Sequence, residues 1–206
     1  MPTLLHIDSS PLETSVSREL TREFVKTWKA NHSGGTVVYR DLSVSTPAVL
    51  NANWIFAAHT ALDSRTAEQK AVLALSDELI QELKTADEYV IGVAMHNFSV
   101  PSSLKLWIDQ ISRKGETFEY GEYGPAGLLK DKKATVLIAT GGVYNVDSPA
   151  AAFDFTEPYL RTILGFLGVT DVTFVTAGGT AKLMSPAADR EAFLKPTLDK
   201  VREVAA

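Results

Sequence analysis

Short apolar runs alternate along the whole chain with stretches whose apolar residues recur every three or four positions. Residues 3–7 form a run rich in strand formers. Leu20, Phe24 and Trp28 follow at i, i+4 and i+8, so the pattern predicts a strand and then a helix opening near Ser15 or Ser17. Residues 36–39 predict a second strand, introduced by the turn pair Gly34-Gly35. Residues 41–63 are less periodic, carry Pro47, Trp54 and Phe56, and read as loop plus a short helix. Thr66 and Gln69 have the spacing of a capping box, and Val72, Leu75, Leu79 and Leu83 continue that helix on one predicted face.

Residues 89–95 are continuously apolar, as expected of a strand covered on both faces. Leu104, Trp107, Ile108 and Ile111 predict the next helix, and residues 134–140 another buried strand. A helix over 157–167, a fifth strand over 171–176 and a last helix complete the alternation. Ser185-Pro186 has the form of a cap followed by proline at the first helical position, and Pro196 predicts a bend further on. Five strands alternating with helices imply an α/β fold, a doubly wound five-stranded parallel sheet with helices on both faces. Residues 115–130, with Gly121, Gly124 and Gly127, break the alternation and predict an extended surface excursion.

The 206 residues suit one domain, at roughly 150 residues per domain, and no linker or repeat divides them. There is no cysteine. That excludes disulfides, thiolate metal sites and a cysteine nucleophile. A net charge of −5 without a basic block argues against a nucleic-acid partner. The N-terminus lacks the pattern of a signal peptide, and no apolar run is long enough to span a bilayer. The expectation is a cytoplasmic protein that does not engage a membrane.

Open parallel sheets bind ligands beyond the carboxyl ends of their strands. The loop after the first strand holds Ser9, Ser10, Ser15 and Ser17 before a helix, and hydroxyls with free amides at a helix N-terminus attract anions. A plain N-cap role for Ser15 or Ser17 is the alternative. The loop has no glycine, so it is neither a dinucleotide turn nor a triphosphate loop. Met95, His96, Asn97 and Phe98 follow the third strand and suit either the wall of a flat heteroaromatic ring or a hydrophobic lid. Thr140-Gly141-Gly142 follows the fourth and suits close backbone approach to a ligand or an ordinary turn. No clustered metal-ligand spacing and no G-x-S-x-G elbow occurs.

The stretches Ser10-Pro11 to Ser17, Met95-His96-Asn97-Phe98-Ser99 through Lys105, Lys114-Gly115 through Leu128, and Leu164 through Gly168 together resemble the FMN-dependent NADH:quinone oxidoreductases, or azoreductases, of the flavodoxin-like superfamily. The resemblance runs essentially end to end. It implies an FMN whose phosphate meets Ser10, Ser15, the Val16 amide and Ser17, with Ser9 as a substitute for Ser10. The isoalloxazine would rest on Met95, His96, Asn97 and Phe98 and on Ala139, Thr140, Gly141 and Gly142. It further implies a homodimer, each active site completed by the partner chain. Where the family usually has tyrosine, glutamine and Ser-Arg-Gly-Gly, this chain has His96, Val16 and Ala139-Thr140-Gly141-Gly142.

The implied chemistry is two-electron and ping-pong. NADH or NADPH gives hydride to flavin N5 and leaves, and a quinone or azo compound then takes its place. No side chain need be catalytic, since the flavin carries the chemistry. The amides of Gly141 and Gly142 would stabilise the anionic reduced ring, and Asn97 with the Phe98 amide would meet the N5/O4 edge. His96 is expected to pack rather than to donate a proton. Arg18 and Arg65 are the candidates for a nucleotide 2′-phosphate. Trp54, Phe56, Phe118 and Tyr120 lie outside the core pattern and are expected to line the substrate cavity or the dimer interface. The rival readings are a flavodoxin-like electron carrier for a protein partner, and a hydrolase using Ser10 or Ser15.

Overall fold

The computed structural model describes all residues, Met1–Ala206. Five strands, β1 (Thr3–Asp8), β2 (Thr36–Asp41), β3 (Glu88–Ala94), β6 (Lys133–Ala139) and β7 (Asp171–Ala177), form one parallel sheet in the order β2-β1-β3-β6-β7. Helices α1 (Val16–Asn31) and α6 (Arg190–Val204) cover one face, and α3 (Ala67–Thr85), α4 (Ser102–Ile111) and α5 (Glu157–Leu167) cover the other. The topology is that of the flavodoxin-like fold, in which the winding reverses between β1 and β3.

Continuously apolar strands serve two cores because successive side chains point to opposite faces. Tyr89, Ile91 and Val93 of β3 join the core under α3, α4 and α5, whereas Val90 joins the core under α1 and α6. Gly92 also faces α1. A Cβ there would lie 2.7 Å from Asp8 Oδ1 and 2.8 Å from Thr21 Cγ2. A polar residue therefore occupies the end of β1 only because its neighbour strand is bare at that point.

Several expectations are corrected. On α3 the buried face is Leu73, Ser76, Leu79, Ile80 and Leu83, while Val72 is exposed and Leu75 only partly buried. Ser76 holds a core position because its hydroxyl donates to the Gln110 carbonyl at 2.6 Å, a polar contact that an apolar count misses. The last helix is capped not by Ser185 but by Asp189, whose side chain accepts from the Ala192 amide at 3.0 Å. Ser185 and Pro186 belong to the turn before it. Pro196 removes one amide from α6 without ending the helix. No helix is long and apolar enough to cross a membrane.

Residues 41–63 contain the short helix α2 (Ala52–His59), capped by Asn51. The excursion over 115–130 is a β-hairpin, β4 (Phe118–Gly121) and β5 (Gly124–Gly127), packed on the end of α5. Leu129 donates to the Leu167 carbonyl at 2.9 Å, and a Cβ on Gly127 would fall 2.1 Å from Gly168 N. Gly127→Ala should therefore cost about 3 kcal/mol by urea denaturation, since neither backbone can yield without losing that contact. Gly121→Ala, whose nearest neighbour is 3.7 Å away, should stay within about 0.5 kcal/mol of the parent. Equal losses at the two glycines would refute this account of the docking.

Candidate functional site

The carboxyl ends of β1, β3 and β6 lie side by side, so three loops converge there. Ser15 caps α1, its hydroxyl accepting from the Arg18 amide at 3.3 Å and lying 3.3 Å from Ser17 Oγ. The amides of Val16 and Ser17 make no hydrogen bond within the chain. Ser10 and Ser17 are buried beside them. Ser9 does not take part in this cradle. Its amide and hydroxyl both donate to the Gly92 carbonyl, at 3.2 and 2.7 Å, and so tie the loop to β3. Ser103 of α4 donates to the Ser9 carbonyl at 3.2 Å and holds the third-strand loop against the first.

After β3 the chain turns within two residues. His96 and Ser99 exchange backbone hydrogen bonds at 2.9 and 3.0 Å, and Asn97 and Phe98 between them have φ of 49° and 70°. Positive φ at both central positions is the mark of a hairpin turn that normally takes Asn-Gly. Asparagine tolerates it, but phenylalanine is strained there by roughly 1–3 kcal/mol. The turn leaves the Asn97 and Phe98 amides without partners and His96 exposed rather than packed within the chain. Beside it, Ala139 ends β6, Thr140 Oγ1 donates to the Gly142 carbonyl at 2.8 Å, and the Gly141 and Gly142 amides are also unpaired.

Under the first loop lies a buried ionic network. Arg18 donates through Nε and Nη2 to the Ser10 carbonyl at 3.0 and 2.8 Å, through Nη2 to both Asp41 oxygens at 2.8 Å, and through Nη1 to the Tyr39 hydroxyl at 3.0 Å. Tyr39 donates to Asp8 Oδ2 at 3.1 Å, and Thr21 donates to Asp8 Oδ1 at 2.8 Å. Burial pushes the Asp8 carboxyl up, but His6 and the Thr21 and Tyr39 hydroxyls more than offset this and hold it below the usual range. Burial likewise raises Asp41, and the Arg18 and Ser43 hydrogen bonds bring it below its ordinary value. Burial and the neighbouring carboxylates push the Tyr39 phenol up, so it stays a donor. Arg18 is thus occupied and unable to reach a 2′-phosphate. Arg65 is tethered through Nε alone, which donates to the Ala57 and Thr60 carbonyls at 3.2 and 3.0 Å.

The four aromatics expected at the cavity do not join these loops within one chain. Trp54 is buried, with Nε1 donating to Gln110 Oε1 at 2.9 Å. Phe118 packs on Phe166 with ring centroids 4.6 Å apart, and Tyr120 meets it edge-on at 5.7 Å. Trp54, Phe118 and Tyr120 line one cavity of about 530 Å³ beside Arg113 and Lys114, whereas Phe56 points away and is 69% exposed. That cavity adjoins the C-terminal end of α4, and the three loops lie at its N-terminal end, about 15 Å away at 1.5 Å per residue. The aromatics that do approach the third-strand turn are Tyr144 and Phe153, with ring centroids 6.3 and 5.5 Å from Phe98. They sit in the aperiodic stretch after β6, where no spacing marks them.

A family model described as a flavodoxin-like fold matches residues 2–201. The chain is 60% identical, over the full length of both proteins, to the FMN-dependent NADH:quinone oxidoreductase of Acidobacterium capsulatum. It is 48% identical over 97% of each chain to FMN-dependent NADH:quinone oxidoreductase 3 of Burkholderia lata. Among solved structures, an azoreductase from Bacillus anthracis superposes with a TM-score of 0.89 at 30% identity, covering 100% of this chain and 99% of that one. An FMN-dependent NADH-azoreductase from Bacillus anthracis, solved in complex with FMN, gives a TM-score of 0.87 at 30% identity, covering 100% and 98%.

The chain belongs to the FMN-dependent NADH:quinone oxidoreductase family.

Hydroxyls and unpaired amides, the groups an anion or the edge of a planar ring would need, stand together at the ends of β1, β3 and β6. The network beneath these loops should make the fold acid-sensitive. Asp8 and Asp41 have folded values below the ordinary 3.8, so their stabilisation is complete above that pH and disappears as the pH falls through the folded values. Asp41→Asn should be about 2 kcal/mol less stable than the parent at neutral pH, and the gap should close in the acid range. Urea denaturation across a pH series measures it, and a gap that persists unchanged in acid would refute the ionic account.

Proposed function

We propose that this chain binds FMN in the crevice between β1 and β3 and uses it to reduce quinones, and azo compounds as well, with NADH. The observation that supports this reading is the row of unpaired amides at Val16, Ser17, Asn97, Phe98, Gly141 and Gly142 along one edge of the sheet. The first two, with the hydroxyls of Ser10, Ser15 and Ser17, suit a phosphate dianion at a helix N-terminus. The others suit the carbonyl and nitrogen edges of a flat ring lying on Met95, His96, Asn97 and Phe98 on one side and Ala139, Thr140, Gly141 and Gly142 on the other.

Bound FMN supplies the redox step, taking hydride from NADH and giving it to the second substrate. The residues bind, orient and stabilise. The Gly141 and Gly142 amides oppose the negative charge of the reduced ring without reorganising. Asn97 and the Phe98 amide hold the opposite edge. No side chain is asked to act as a nucleophile, and a serine hydrolase finds no support, since no histidine hydrogen-bonds to Ser10 or Ser15. Because Arg18, at the phosphate loop, is engaged internally, NADH fits better than NADPH.

The exposed aromatics support a homodimer. Phe56 and Tyr120 are exposed by 69% and 65%, and they lie too far from their own loops to cover a ring there. A second copy would bring them, beside the cavity that Trp54 and Phe118 line, to the partner's site. The purified protein should be yellow, or become so with FMN. NADH should bleach it without any protein partner, and a quinone should restore the colour. A protein that stays colourless with FMN would refute the flavin reading, and one that NADH cannot reduce would favour the carrier. Tyr120→Ala should raise quinone KM about tenfold, the size of one lost aromatic contact, with FMN affinity unchanged. A strictly monomeric protein in sedimentation would refute the shared site.

A further inference from the structure

We infer that Arg18 is a positioning residue that sets the phosphate loop in its binding form, and so makes the site distinguish FMN from riboflavin. The inference rests on the flavin reading above. Arg18 stands in the first turn of α1, and its guanidinium reaches back eight residues to the Ser10 carbonyl. Two donors on one carbonyl oxygen fix the orientation of that peptide plane. The Ser10 oxygen is turned to the β2 side, so the loop presents hydroxyls and amides, rather than a carbonyl dipole, to the cradle. A carbonyl swung towards a phosphate would repel it.

The guanidinium is itself held from several sides. Asp41 accepts with both oxygens, Ser43 Oγ accepts at 2.9 Å, and Tyr39 accepts while donating onward to Asp8. Arg18 is 3% exposed and its charge is matched by Asp41, so it acts through geometry rather than as a direct phosphate contact. The guanidinium reaches the Ser10 carbonyl through Nε and Nη2 at once and Tyr39 through Nη1, a rigid spread of donors that the single ammonium of lysine cannot reproduce. With Arg18 in place, the loop is ordered before ligand arrives, and the ordering cost is not charged against binding.

The test is flavin-fluorescence titration of the deflavinated full chain with FMN and with riboflavin. Riboflavin shares the ring and lacks the phosphate. Arg18→Lys should weaken FMN about 10- to 100-fold and leave riboflavin within about twofold, so the ratio of the two constants collapses. A general loosening of the fold would weaken both ligands alike, and that result overturns the inference. So does an unchanged ratio. If Arg18→Lys does not fold, Asp41→Asn and Tyr39→Phe each release one hold on the guanidinium. The ratio should then fall about 3- to 10-fold, and its constancy in both variants overturns the inference equally. A parent protein that binds riboflavin as tightly as FMN fails differently. It refutes the phosphate cradle itself.

Discussion

All five strands of the main sheet run the same way and end on the same edge, so three adjacent loops leave it together; their first amides, at Ser9, Met95 and Thr140, still pair with a neighbouring strand, and the residues beyond them are the ones whose amides stay free. This one constraint gives the molecule its site. Helix α1 adds its own unpaired first amides, because a helix has no internal partner for them. Six such amides on three adjacent loops leave a surface that needs acceptors, and a phosphate and a flavin edge are acceptors of the right kind.

Holding that surface open has costs, and the structure shows how they are met. Asp8 and Arg18 are buried charges, which are unfavourable unless paired and hydrogen-bonded. Here each is satisfied several times over, within one network that links the ends of β1 and β2 to the first turn of α1. Room for Asp8 depends on the missing side chain of Gly92. The strained turn at Asn97 and Phe98 has a comparable logic. Its exchange of two backbone hydrogen bonds between His96 and Ser99 offsets the positive φ at Phe98, and an aromatic ring is thereby held out at the sheet edge.

The outer elements do different work. The hairpin β4–β5 is clamped to α5 at Gly127 and Gly168, where two backbones touch. Rigidly placed, it presents Tyr120 away from its own crevice. Helix α2 is pinned by Trp54 to Gln110, and by Arg65 at its C-terminal end, so Phe56 is likewise held outwards. Both segments are additions to the alternating core, and both put aromatic surface where a second copy of the chain can use it.

The alternation of elements, the two-sided burial of β3 and β6, the capping box at Thr66 and Gln69, and the serines before α1 are all legible in the sequence. They are local: each follows from spacing along a few residues, as strand period, helix period or capping chemistry. The motif resemblance carried the cofactor and the substrate class in the same linear way. The occupation of Arg18, the withdrawal of Ser9 into β3, the inward Ser76 and the distance between the aromatics and their own loops were decided only by the tertiary structure. Each depends on a partner dozens of positions away, such as Asp41, Gly92 or Gln110, and a hydrogen bond's partner is chosen by which strands lie side by side, not by what precedes it in the chain.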